Sequence, residues 1–262
     1  MHEILRHLPR GAKVLDLGAR HGSFDPDHYP GIVAIRLDNE CASSGGVLAD
    51  AAHLPFRDGV FDAVVANHSL EHTDHLPDVL QELGRTMRRD GALYVAVPDA
   101  STFSDKLYRW IFHGGGHINP FRDKAAFANE ITNATGMPLA ATRELHTSFA
   151  FLDKTKFEPR PPRRLLVVGY GTAFSLHALS YLTRLFDRML GTRLSVYGWA
   201  FYFGSVKEEI ETEPWINVCI RCGAGHSVAA LQSNHNVTRR GLIFQWYTCS
   251  NCGTPNLLTQ AP

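Results

Sequence analysis

Four of the five cysteines fall into two pairs of equal spacing, Cys219-Ile-Arg-Cys222-Gly223 and Cys249-Ser-Asn-Cys252-Gly253, with 26 residues between them. Thiolates are soft ligands, and four of them close a tetrahedral shell around Zn²⁺ with no position left for substrate, so this pattern predicts a structural zinc site. The glycine after each second cysteine permits a tight turn that aims backbone N–H groups at the sulfurs. A segment of about 50 residues has little core of its own and needs such a staple. Val228–Leu231 and Leu242–Tyr247 are expected as its strands. Cys41 stands alone.

A second group of residues lies near the start of the chain. The apolar run Val14-Leu15 leads into Asp16-Leu17-Gly18-Ala19-Arg20-His21-Gly22, a strand that ends in a glycine turn. Such a turn lets backbone come close to a ligand. Asp38 follows another short apolar run, twenty residues after Gly18, where a carboxylate can accept hydrogen bonds from ribose hydroxyls. Asp50 and Ala51 end a third run, and Asn67 a fourth. Three histidines, His68, His72 and His117, are the candidate general bases. His72 and Glu71 also have a plain structural reading, as does His117 as a helix-capping or exposed residue. Three glycines before His117 suggest a mobile lid.

The elements that must position these groups alternate. Strands are expected at 13–18, 32–35, 47–50, 61–67 and 92–98, then near 140–146 and 194–203. Helices are expected at the N-terminus up to Pro9, at Asp74–Arg89, at Ser101–Phe112 and from Asp123 to Gly136. Between Gly22 and Val33 only ten residues remain, Pro26 and Pro30 among them, which leaves room for little more than one helical turn. Alternation of this kind predicts a parallel sheet with helices on both faces. The segment 158–164 is rich in proline and breaks the pattern.

Four motifs in order resemble the class I S-adenosylmethionine methyltransferases, in particular the branch that acts on small molecules. They are the run 14–22, the run Asp50–Asp62, Asn67-His68-Ser69-Leu70-Glu71-His72, and Arg89-Asp90-Gly91. The resemblance covers residues 10 to 205 and implies a Rossmann-like, mostly parallel seven-stranded sheet. It also implies an S-adenosylmethionine site built from Asp16, Gly18, Arg20, Gly22, Asp38, Asp50, Ala51 and Asn67. Asp50 and Ala51 match the family's adenine contact, and Asn67 would lie by the sulfonium end. Arg20 stands where family members usually have glycine; it could block the cofactor or pair with its carboxylate. The Asn/Asp-Pro-Pro-aromatic motif of many amino-group methylating members is absent after the fourth strand. Transfer from an activated sulfonium needs alignment above all, so His68 and His117 are the catalytic candidates only where the acceptor must lose a proton early. The cysteine segment resembles a zinc ribbon.

Composition is that of an ordinary globular protein, 44% hydrophobic and 20% charged. Formal charge is zero, which argues against the chain as a whole binding nucleic acid. Past Glu213 there is no acidic residue and three arginines, Arg221, Arg239 and Arg240, so the preceding part carries 23 basic against 26 acidic residues. The expected domains are 1–211, methyltransferase-like, and 212–262, a zinc ribbon. No signal-peptide core is evident at the N-terminus, so a cytoplasmic protein is expected. Residues 165–183 lack Asp, Glu, Lys and Arg and are long enough for a span, but Leu179, Leu182, Phe186 and Met189 follow helical spacing, which favours a buried amphipathic helix over membrane association through 165–190. Three functions remain open at this point. The first is methylation of a small-molecule or lipid-like acceptor. The second is methylation of RNA or protein with the ribbon recognising the substrate. The third is a non-catalytic binding protein on the same fold. Oligomeric state is undetermined.

Overall fold

The computed structural model describes residues 1–18, 22–40, 45–113, 115–153, 171–233, 237–240 and 244–259. Arg20, Cys41 and the proline-rich segment lie outside them. The described chain divides into two compact units. The first is Met1–Asp99, Gly116–Arg143 and Trp199–Thr212; the second is Ala100–Gly115, Glu144–Gly198 and Glu213–Pro262.

The first unit opens with α1 (His2–Leu5) and continues through β1 (Lys13–Leu17), β2 (Val33–Asp38), β3 (Val47–Leu48), β4 (Phe61–Asn67), α2 (Leu76–Thr86) and β5 (Met87–Pro98). The second unit contains α3 (Phe103–Ile111). The chain then forms α4 (Lys124–Thr135) in the first unit and β6 (Leu139–His146). After α5 (Ala173–Leu190) comes β7 (Val196–Gly204). The seven strands form one sheet in the order β3-β2-β1-β4-β5-β7-β6. The pairs β2–β3, β1–β2, β1–β4 and β4–β5 are all parallel. This is the expected Rossmann-like, mostly parallel α/β sheet. Sequence order reverses between β1 and β4, and open parallel sheets bind ligands at such a switch point.

The strands are apolar because the sheet is covered. Val14, Leu15, Ala63, Val64, Val65 and Leu93 are completely buried. Leu80 and Leu83 of α2 pack into the same core as Phe127 and Ile131 of α4. Gly84 makes that approach possible, since a Cβ there would lie 2.9 Å from the Ala134 carbonyl oxygen.

Three expectations need correction. The expected amphipathic helix forms as α5, but Leu182, Phe186 and Met189 are exposed, because the helix turns Leu176, Ser180, Thr183 and Arg184 inward instead. Helix α2 stops at Thr86 rather than Arg89. Met87 is extended and pairs with Phe61, so Arg88 and Arg89 belong to β5. Strand pairing outweighs helix propensity here because the Val60 N–H donates to the Thr86 carbonyl at 2.8 Å and the chain is drawn into the sheet. The predicted strand Val228–Leu231 is a helix, α6 (Val228–Ser233). Ser227 explains it, its Oγ accepting from the Ala230 N–H at 3.1 Å ahead of the helix-forming run Ala-Ala-Leu-Gln. The short connection after Gly22 holds one 3-10 turn, Pro26–His28, in keeping with the two prolines.

In the second unit, Ile111, Phe149, Leu152, Leu176 and Ile220 form a small core. Its cysteine-bearing part contains β8 (Asn217–Val218), β9 (Gly225–His226), α6, β10 (Val237–Arg240), β11 (Phe244–Thr248) and β12 (Pro255–Leu257). β8 and β9 pair antiparallel, and β10-β11-β12 form an antiparallel sheet. No helix among the described residues is long and apolar enough to cross a membrane. Residues 165–170 of the uncharged stretch lie outside the described residues.

Candidate functional site

Because β3, β2, β1 and β4 are neighbours and parallel, the residues that follow their C-terminal ends share one edge of the sheet. Gly18, Asp38, Asp50, Ala51, Asn67 and His68 all lie there. Gly18 has φ +65°, and a Cβ would meet that of Ser69 at 2.5 Å. The turn after β1 therefore touches the turn after β4, which only glycine allows.

Asp16 is fully buried on β1. One carboxylate oxygen accepts from the Ser23 N–H at 2.8 Å, which closes the loop across the glycine turn. The other, Oδ1, is buried with no hydrogen-bond partner among the described residues. Burial raises the pKa of Asp16, against the opposing effects of Ser23 and Arg36. Asp38 is buried and accepts from the Glu40 N–H at 3.0 Å. Asp50 is exposed, accepts from the Ala52 N–H at 2.9 Å, and is held below the usual carboxylate range mainly by that bond. Asn67 ends β4 opposite Ala96 of β5. Arg20 lies outside the described residues.

At the end of β4 the chain turns sharply. His68 takes a left-handed φ of +55°, unusual for a residue with a side chain, and a 3-10 turn, Leu70–His72, follows. Glu71 is 1% exposed. Its backbone carbonyl accepts from the N–H groups of Ile118 (2.8 Å) and Asn119 (3.1 Å). The Asn119 side-chain amide donates to the carbonyls of Leu70 (2.9 Å) and Thr73 (2.7 Å). These bonds fasten the segment carrying His117 to the turn after β4, and the rings of His72 and His117 meet edge-to-face at 5.0 Å. His68 Nδ1 lies 3.6 Å from Glu71 Oε1. The structure thus gathers both catalytic candidates, His68 and His117, around Glu71 at the sheet edge that carries the cofactor candidates.

Residues 1–134 match the methyltransferase domain family. The chain belongs to that family. Among curated relatives, the chain is 28% identical to the malonyl-[acyl-carrier protein] O-methyltransferase of Legionella pneumophila over 138 residues, 46% of this chain and 48% of that protein. The enzyme of the same name from Geobacter sulfurreducens is 31% identical over 120 residues, 39% of this chain and 45% of that protein. The chain spans about half the length of the curated relatives it matches. Among solved structures, a SAM dependent methyltransferase from Archaeoglobus fulgidus aligns with a TM-score of 0.50 at 17% identity, covering 76% of this chain and 87% of that one. The YcgJ protein of Bacillus subtilis aligns with the same score at 15% identity, covering 76% and 92%. At these identities the structures bear on the fold alone.

Outside the methyltransferase domain match, the four cysteines converge, their Sγ atoms all within 4.8 Å of one another. Cys219 and Cys252 are 3.6 Å apart, as are Cys222 and Cys249. A disulfide needs about 2.05 Å, so these thiols are not bridged, and the four could hold a metal ion. The two knuckles are built alike. Gly223 (φ +76°) and Gly253 (φ +70°) each donate back to the first cysteine's carbonyl, at 3.0 and 2.9 Å. The N–H groups of Cys219 and Cys249 each donate to a carbonyl just past the knuckle, Ala224 and Thr254, both at 2.9 Å. The Arg221 N–H and the Asn256 side-chain amide both approach the Cys219 sulfur at 3.4 Å. Such donors stabilise thiolate charge.

Sequence reasoning did not find Ser23, Arg36, Ser69 or Asn119 around the first site, nor His226 and Asn256 around the second. His226 Nε2 lies 3.3 Å from Cys249 Sγ. Arg36 and Asn256 left a faint signal, a charged residue inside an apolar strand and an asparagine just after a knuckle. Asn119 left none, because its partners come from a distant turn. A cavity of about 250 Å³, lined by His7, Asp62, Asp90, Gly91 and Lys207, lies at the N-terminal end of β4, the edge opposite the candidate site.

Proposed function

We propose that the chain uses S-adenosylmethionine to methylate a small-molecule or lipid-like acceptor. The observation that carries this reading is the alignment of carboxylates along one sheet edge at the switch point, with the glycine turn against Ser69 and a buried Asp16 oxygen that has no hydrogen-bond partner among the described residues. These residues fit the donor. Asp38 would accept the ribose hydroxyls, Asp50 with the Ala51 N–H would meet the adenine edge, and Asp16, Gly18, Gly22 and Arg20 would surround the methionine part. When bound, S-adenosylmethionine supplies a methyl group already activated on positively charged sulfur. The chain's own task is to orient the acceptor near Asn67 and to exclude water. His68 and His117 would receive the proton of an acceptor that must lose one early. The relatives named malonyl-[acyl-carrier protein] O-methyltransferases favour an acyl-like acceptor and methyl transfer to oxygen.

The four cysteines would hold Zn²⁺ in a closed, structural site. The set fits, since all four sulfurs converge and backbone and Asn256 donors face Cys219.

The test is calorimetric titration of the full chain with S-adenosylmethionine beside Asp38→Ala. The expected result is micromolar binding that weakens at least tenfold in the variant, about 1.4 kcal/mol. No binding by an intact, zinc-loaded protein would overturn the enzymatic reading in favour of a non-catalytic one.

A further inference from the structure

We propose that Glu71, His72 and His117 form a second metal centre, which binds one divalent transition-metal cation. One carboxylate oxygen and two imidazole nitrogens, one from each residue, lie within 4.8 Å of one another. Ligand distances of about 2.1 Å around one ion would bring these atoms somewhat closer.

Each ligand is prepared for the ion. Glu71 is 1% exposed, and its Oε2 is buried with no hydrogen-bond partner among the described residues. A buried carboxylate with an unsatisfied oxygen is costly, and a cation removes that cost. His72 Nδ1 lies 2.9 Å from the Gly116 carbonyl oxygen. A carbonyl only accepts, so Nδ1 carries the proton and the lone pair sits on Nε2. A backbone carbonyl behind an imidazole is the usual device for fixing a ligating tautomer. His117 is delivered by the two backbone bonds onto the Glu71 carbonyl and by the Asn119 clamp, so the three ligands are held before an ion arrives. The left-handed His68 is the strained residue that swings this turn out from β4.

The donor set suggests the ligand class. Two imidazoles and one carboxylate suit Fe²⁺, Co²⁺, Ni²⁺ or Zn²⁺ better than Mg²⁺ or Ca²⁺. Three protein ligands leave coordination positions open, unlike the four-cysteine site. Glu71 and His72 follow Asn67, the last residue of β4, by four and five residues, so an oxygen of the methyl acceptor would be a fitting further ligand. That last point rests on the proposed methyl transfer; the ion itself does not, and with the ion bound His117 is a ligand and His68 is left to receive an acceptor proton.

The experiment fills the cysteine site of the full chain with Zn²⁺, dialyses it against Co²⁺, and measures bound cobalt together with its absorption spectrum. The expected result is about one Co²⁺ per chain with weak nitrogen- and oxygen-ligand bands and no thiolate charge transfer. Glu71→Gln and His117→Ala should each weaken this binding at least tenfold, with zinc content and thermal unfolding of His117→Ala unchanged. Cobalt appearing only with thiolate charge transfer, no cobalt at all, or undiminished binding in both variants would overturn the proposal. Titration of the same samples with S-adenosylmethionine separates this outcome from failure of the methyl-transfer reading.

Discussion

The Arg36 guanidinium lies directly over Gly22. A Cβ at Gly22 would come within 2.4 Å of Arg36 Nη2, while the same nitrogen donates to the Phe24 carbonyl at 3.1 Å. Gly22 also has φ +101°. Gly22→Ala should therefore strain the backbone and displace Arg36 from the loop. We expect a loss of about 1–3 kcal/mol in stability, and weaker S-adenosylmethionine binding, read by denaturant unfolding and calorimetry. A variant as stable as the wild type would show that the loop adapts freely.

Removing the proposed Zn²⁺ from the cysteine site should loosen the second unit. Ile220, between the first two cysteines, packs with Phe149 and Leu176, and its N–H donates to Asn256 Oδ1 at 2.9 Å. Cys249→Ser should lower zinc content by one ion per chain and cost several kcal/mol locally. Elemental analysis and limited proteolysis around 219–257 would detect this. Normal zinc content in the variant would argue against a four-thiolate site.

Arg143 is 3% exposed and bonds to Glu3 Oε1 at 2.7 Å, to the Tyr202 hydroxyl at 3.1 Å and to the Glu211 carbonyl at 2.6 Å. Arg143→Met leaves the buried Glu3 carboxylate with the N-terminal ammonium, 2.8 Å from Oε2, as its remaining cation. The expected cost is about 3 kcal/mol, the low end for breaking a buried pair. The double variant Glu3→Gln/Arg143→Met should recover part of it, since the carboxylate charge is gone. Equal stabilities of single and double variants would show that the pair is not coupled.

His146 should make stability depend on pH. The Ser195 hydroxyl donates to Asp187 Oδ2 at 2.6 Å, so His146 Nδ1, 2.9 Å from Ser195 Oγ, must be the donor in their contact. Burial, aided by Arg184, lowers the His146 pKa from 6.5 to about 4. The unfolded chain therefore takes up a proton between these values that the folded one refuses. Stability is complete above pH 6.5 and declines as pH falls toward 4. Between pH 7 and 5.5 the wild type should lose about 1 kcal/mol more than His146→Asn in denaturant unfolding. Parallel pH profiles of the two proteins would refute a buried neutral histidine.

Local chemistry was legible in the sequence. The cysteine pairs, the strand running into Gly18 and the cramped connection after Gly22 each depend on a few consecutive residues, and each is found as read. Alternating strands and helices likewise determined the sheet, because apolar runs of strand length must be buried on both faces. Tertiary structure decided the rest. Met87 was claimed by β5 through its pairing with Phe61, and Arg88 and Arg89 follow it into the irregular stretch before Ala92 pairs with Ala63. Val228–Ser233 became helix through a serine cap outside the expected strand. Arg36 reached the Gly22 loop, Asn256 reached Cys219, and His117 reached Glu71 through contacts between residues far apart in the chain. Spacing along the sequence carries no record of such meetings, since they are set by where the folded backbone places its unsatisfied donors and acceptors.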